Sequence, residues 1–239
     1  MTQYHGKNTA VLWSQFNLST YFNEASVKQE ASTAETTTFG SSSRSYVAGL
    51  VDGTLSLSGF FDDTATTGPD VVLANALANA TNPIVTIGLS GATIAKRAKL
   101  AQIIETSYEI TGNFDDAVTA SVEMQVTGGV DNGIFLKTHA AETSSTNGAG
   151  QDNGAASSNG WCAHLHVTAT SSPTTLDVFI EHSTDNVTFA ALSGGTFTQV
   201  TTSTTSQRLT GTGSVNRYVR YASTIAGTSY TYAVAFARR

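Results

Sequence analysis

Residues 49–63 read GLVDGTLSLSGFFDD. Leu55 and Leu57 alternate with Thr54, Ser56 and Ser58. Successive strand side chains point to opposite faces, so this stretch makes a strand with one apolar and one polar side. Residues 115–128 repeat the pattern: Val118, Ala120, Val122, Met124 and Val126 alternate with Thr119, Ser121, Glu123, Gln125 and Thr127. The two stretches are expected to be long strands of one sheet, buried on one side and wet on the other. Such a sheet either faces open solvent or lines something.

Composition points the same way. Charged residues are 13% of the 239, while Ser, Thr, Gly and Ala dominate, a mix that suits short strands and turns. The length allows one or two domains at ~150 residues each. A net charge of −6 argues against gripping nucleic acid through its phosphates, without excluding a surface that nucleic acid slides past. The single cysteine, Cys162, rules out an internal disulfide framework. No basic segment followed by an apolar one opens the chain, and no apolar run would span a bilayer. The chain is therefore expected to be soluble, with no export signal and no membrane. Without such a signal, the glycosylation patterns at Asn17 and Asn186 count as chance.

Further from the central pair, Ala10 to Trp13 can be a strand behind a polar N-terminal arm. Residues 26–44 are polar, with Phe39 their one large apolar side chain, and read as a long loop or an extended arm. Residues 70–80 are the best helix: Asp70 can cap it, and Val72, Leu73, Ala76, Leu77 and Ala80 fall at helical spacing. It stops before Asn82-Pro83. Residues 84–89 alternate as a strand, and another is expected from about Ile103 through Tyr108 and Ile110. Residues 144–160, rich in Gly, Asn and Ser, are expected to be a flexible linker between a domain at 1–143 and a second at 161–239. The second shows short runs at 161–169, 176–182, 196–201, 207–209, 217–222 and 230–236, the spacing of a small antiparallel sandwich.

No stretch carries a catalytic signature. His164 and His166 share a strand face and could hold a metal, but no Cys, Asp or Glu accompanies them at ligand spacing, so partly exposed strand histidines are the expectation. Cys162 reads as a small buried apolar residue. Asp62-Asp63 and Asp115-Asp116 are adjacent on strand ends and point apart, which is wrong for a catalytic carboxylate pair. Lys96, Arg97 and Lys99 read as a solvated basic turn. Trp161 and Tyr230 could stack on sugars, yet at strand positions they read as core. No cofactor is expected, and the chain reads as a non-enzyme.

Three segments in order carry a resemblance: EASTAETTTFG at 30–40, GLVDGTLSLSGFFD at 49–62, and YEITGNFDDAVTASVEMQVTGG at 108–129. Over about residues 1–140 the chain resembles the major tail, or tail tube, proteins of long-tailed bacteriophages. The resemblance implies a mainly β fold: a tail-tube-like β-sandwich or barrel with one flanking helix. VFIEHS at 178–183, NRYVR at 216–220 and AVAFAR at 233–238 are similar to the immunoglobulin-like or other β-sandwich modules appended to phage tail and capsid proteins. It further implies a homo-oligomer of stacked hexameric rings in the virion tail, assembled in the host cytoplasm with other tail proteins. Viral DNA would pass through without specific binding. The inter-subunit arm would include Glu35, Thr36, Thr37, Thr38 and Phe39. The lumen-facing strand would present Thr119, Ser121, Glu123, Gln125 and Thr127. Two alternatives use the same domains: a capsid decoration or minor capsid protein, and a carbohydrate-binding adhesin acting through the C-terminal half.

Overall fold

The two alternating stretches do pair. In the computed structural model, which describes residues 5–77, 81–171, 175–201 and 203–239, strand β4 (Tyr46–Phe60) lies antiparallel to β7 (Thr119–Glu142), in register from Thr54 opposite Gln125 to Phe60 opposite Thr119. Their apolar faces meet α1 (Pro69–Ala74) and the two N-terminal strands, β1 (Ala10–Trp13) and β2 (Phe16–Asn17). Leu55, Leu57, Val122 and Met124 are buried there with Trp13, Val72 and Leu73. Each aliphatic side chain removed from water contributes roughly 1.5–3 kcal/mol.

The remaining strands are β3 (Phe22–Glu35), β5 (Ile84–Gly88), β6 (Arg97–Thr111), β8 (Thr146–Asn147), β9 (Gln151–Asp152), β10 (Trp161–Thr170), β11 (Thr175–Ser183), β12 (Ala190–Thr196), β13 (Val200–Thr201), β14 (Thr205–Gly211), β15 (Tyr218–Ala226) and β16 (Tyr230–Arg238). Among the described residues they form two sheets. The larger runs β14-β10-β16-β7-β6-β5-β1-β2, with the β3–β4 hairpin attached to β7. The smaller runs β12-β11-β15-β8, with β13 on β11 and β9 on β15.

Strands β10 and β16 are buried on both sides. Their large side chains, among them Trp161, Leu165, Tyr230 and Phe236, pack with Leu176, Val178, Ile180 and Tyr221 of the smaller sheet. Their opposite face, with Cys162, Ala233, Ala235 and Ala237, packs on Leu12, Leu100 and Phe135 of the first half. The alternation of alanine with bulky residues in AVAFAR lets one strand serve two cores: small side chains allow close approach at the seam.

Several expectations are corrected. Residues 144–160 are not a loose tether: β8 and β9 pair with β15, and Asp152 takes both Arg217 Nε and Nη2 at 2.7 Å. The two halves also share a sheet, because β16 pairs along β7. Composition suggested flexibility, but the short polar side chains here hydrogen-bond to a neighbouring strand instead. The helix is shorter than 70–80, and Ala80 lies outside the described residues. Pro69 occupies its first turn, where a missing N–H costs nothing. Asp70 caps nothing; it accepts a hydrogen bond from the Tyr108 hydroxyl at 3.0 Å. Residues 26–35 are strand rather than loop, paired with β4. Beyond Lys28 both faces of that strand are exposed, so no apolar alternation marks it. The first four residues of the expected N-terminal arm lie outside the described residues.

Candidate functional site

Strands β3, β4, the first part of β7 and the far part of β6 form a four-stranded antiparallel layer. Register places Ser26, Ser56, Glu123 and Ser107 in one row across it, and Glu24, Ser58, Ser121 and Glu109 in the next. Thr119, Ser121, Glu123, Gln125 and Thr127 therefore share one side with the hydroxyl rows of β4. Thr119 and Glu123 are exposed; Ser121, Gln125 and Thr127 are half-buried by their neighbours. The polar side carries five carboxylates, Glu24, Glu30, Asp52, Glu109 and Glu123, against the single ammonium of Lys28. Lys28 is already paired with Glu30 at 2.7 Å. Gln125 Nε2 donates to Asp52 Oδ1 at 2.6 Å and to the Gly53 carbonyl at 3.1 Å, tying the third row together.

Among the described residues neither outer edge of this layer is paired in a ladder: β3 along its length, and β6 beyond Glu105. Unpaired strand edges present rows of N–H and C=O groups that pair readily with another chain.

Two hairpins project from the layer. The β3–β4 hairpin ends in the turn bearing Thr36, Thr37, Thr38 and Phe39, with Glu35 closing β3. The tip orders itself: Thr36 N donates to the Ser45 carbonyl at 2.9 Å and Ser45 N to Thr37 Oγ1 at 3.1 Å. Gly40 adopts φ 90°, a left-handed turn position that favours glycine. Phe39 is fully exposed, and Tyr46, Val47, Leu50 and Val51 are exposed behind it. The β6–β7 hairpin ends in Phe114, equally exposed. Sequence reading did not single out Phe114; its signal was an aromatic residue inside the turn GNFDD.

Beneath the layer, Glu105 is 2% exposed, and among the described residues neither carboxyl oxygen has a hydrogen-bond partner. Burial pushes its pKa up to about 8. It was not foreseen, because one Glu among Ile103, Ile104 and Tyr108 reads as an exposed strand position.

His164 and His166 are not partly exposed; both are fully buried. Thr86 Oγ1 lies 2.9 Å from His164 Nδ1 and 2.7 Å from His166 Nε2. Arg208 Nη1 lies 2.6 Å from His164 Nε2, and His166 Nδ1 lies 2.7 Å from the Ser14 carbonyl. Burial holds His164 well below the ordinary histidine range and His166 at about 4. Cys162, beside them, is buried, and desolvation pushes its thiol up to about 12. Among the described residues no three His, Cys, Asp or Glu side chains come together in metal-ligand geometry. Trp161 and Tyr230 are fully buried, with Trp161 stacked on Phe236 at 5.9 Å, so neither offers a face to a sugar. Among the described residues no helix is long and apolar enough to cross a membrane.

No family model and no curated protein matches the sequence. Among solved structures, the chain is similar to a chain of the native gene transfer agent virion, at 15% identity and TM-score 0.44, over 54% of this chain and 98% of that one. It is similar to the SPP1 tail tube protein at 12% identity and TM-score 0.44, over 54% and 78%. A chain of the PVC extracellular contractile injection system sheath-tube complex gives 13% identity and TM-score 0.45, over 55% and 92%. Each of these likenesses spans 54–55% of the chain.

Proposed function

We propose that the chain is a structural virion protein, a tail tube subunit whose four-stranded layer closes with copies of itself into the wall of a DNA conduit. The observation that carries this reading is the layer itself: one apolar face sealed by the core, one acidic hydroxyl-rich face, and two unpaired edges. Ring closure is the arrangement that removes such edges. With four strands from each of six subunits, strands ~4.8 Å apart and tilted ~45° give a backbone radius of roughly 25 Å, wide enough for a B-form duplex. Carboxylates on the inner face repel phosphates, so DNA passes without adhering. The exposed hairpin ending in Phe39 reaches the next ring, and other tail proteins meet the ends of the stack.

Electron microscopy of the concentrated protein tests this reading directly. Rings or tubes with six-fold symmetry are expected. A protein that stays monomeric when concentrated and binds only to preassembled shells would instead be a capsid decoration protein. The adhesin reading is disfavoured by the burial of Trp161 and Tyr230.

A further inference from the structure

Three of the five histidines, His139, His164 and His166, lie where the C-terminal half packs on the first half. Their hydrogen bonds run in a fixed direction. Arg208 can only donate, so His164 Nε2 accepts from it, and His164 Nδ1–H donates to Thr86 Oγ1. The threonine hydroxyl then donates to His166 Nε2, and His166 Nδ1–H donates to the Ser14 carbonyl, which can only accept. His139 completes a second bridge: Nδ1 faces Asn17 Nδ2 at 3.5 Å and Nε2 faces Thr168 Oγ1 at 2.9 Å. Every acceptor nitrogen in both bridges is used, so the chains close only with all three rings neutral.

The charged groups around them offer no welcome to a proton. Arg208 on β14 abuts His164, and Lys137 on β7 lies near His139. Among the described residues the carboxylates nearby are both on β7 and both already spent: Asp131 on Arg208 at 3.0 Å and on Arg239 at 2.8 and 2.9 Å, and Glu142 on Lys137 at 3.4 Å and on the Tyr232 hydroxyl.

We propose that this seam is an acid-operated clasp: it holds β10 and β14 against β1, β2 and β5 while the three histidines are neutral, and opens when they take up protons. The β16–β7 ladder is held by its backbone hydrogen bonds and stays as the hinge; His139 sits at its irregularity between Lys137 and Ala140 and bridges outward to Thr168 of β10. A proton on His164 would face Arg208 directly. One on His166 would leave the Thr86 hydroxyl hydrogen without its acceptor. Comparing His166 at about 4 in the closed seam with the ordinary 6.5, acidification to pH 4.5 favours the open form by tens-fold from this residue alone.

Cys162 is the chain's sole cysteine and is buried in the seam, which makes it a reporter. The test is its modification in the full-length protein by a dipyridyl disulfide, a reagent that also reacts in acid. At least tenfold faster labelling at pH 4.5 than at pH 7 is expected, with the far-UV circular dichroism unchanged. The triple variant His139→Gln, His164→Gln, His166→Gln should lose the acceleration. Should that variant not fold, nitrogen-15 spectra of the wild-type histidines decide. Nδ1–H signals for His164 and His166 and an Nε2–H signal for His139 should give way to imidazolium over the pH range in which labelling rises. Labelling that is flat with pH, that rises only where circular dichroism collapses, or that rises while the histidines stay neutral overturns the clasp.

Discussion

Glu105 allows a quantitative test of how the core beneath the four-stranded layer is built. Its carboxyl sits 2% exposed without a hydrogen-bond partner among the described residues, and burial raises its pKa from 4.5 to about 8. In the unfolded chain at pH 7 the group is ionised; in the fold it is mostly protonated. The stability linked to the neutral form is fully present below pH 4.5 and is lost as pH rises through about 8. The loss amounts to about 3 kcal/mol at pH 7 and approaches about 5 kcal/mol above pH 8. Glu105→Gln keeps the shape and a similar burial cost but cannot ionise. It should match the wild type near pH 4.5 and exceed it by about 3 kcal/mol at pH 7. For a chain of this size that is a gain of about 6–12 °C in melting temperature. Thermal scans from pH 4.5 to 8.5 read it out. A melting-temperature difference that does not change with pH would mean that Glu105 is solvated in the fold, and the reasoning would fail.

Phe39→Ala should leave monomer stability nearly unchanged, because the ring is exposed, yet weaken ring stacking by ~1–3 kcal/mol of lost burial; sedimentation would show it, and an equal fall in monomer melting temperature would refute the docking role. Glu123→Lys should shift stability by no more than about 0.5 kcal/mol. In assembled particles it should slow DNA release at low salt and not at high salt, and normal release at both would remove this face from the channel. Asp131→Asn leaves Arg208 and Arg239 without their shared carboxylate and should cost about 3 kcal/mol in chemical denaturation, whereas a neutral result would mean the guanidinium groups find water. A chain ending at residue 143 loses β16 from the edge of β7 and uncovers Phe135 and Leu136, so aggregation rather than ring formation is expected on gel filtration.

Much of the fold was legible where one face is buried and the other wet. Leu55 and Leu57 against Val122 and Met124 mark both strands and their pairing because burial imposes a period of two. The signal fades where that contrast disappears. Residues 28–35 of β3 are exposed on both faces, and β10 and β16 are covered on both, so neither shows a clean alternation. The start of β6 was missed for a related reason: Ala98, Leu100 and Ala101 are all buried, which breaks the period of two. At the candidate site, the polar face of β7 could be read from its own residues. Glu24 and Glu109 join that face only through the register with β4 and β7. The histidine bridges lay further out of reach: Arg208 meets His164 through the β10–β14 register, and Ser14 and Thr86 reach His164 and His166 only by packing across the seam.

Strand β7 runs 24 residues and belongs to two structures at once. Up to Thr127 it forms the acidic layer; from Asp131 it runs beside β6 and then β16 at the seam. Between them Gly128 and Gly129, at φ 76° and 84°, break the register with β6. The C-terminal half is therefore not hung on that layer by a string. A load applied to it along β7 passes straight into the acidic layer as shear across the β6 and β4 ladders, with all their hydrogen bonds resisting together rather than one after another. The glycine pair sits in that load path where β7 falls out of step with β6, and because β6 runs on unbroken beside it the load crosses that point through two strands rather than one.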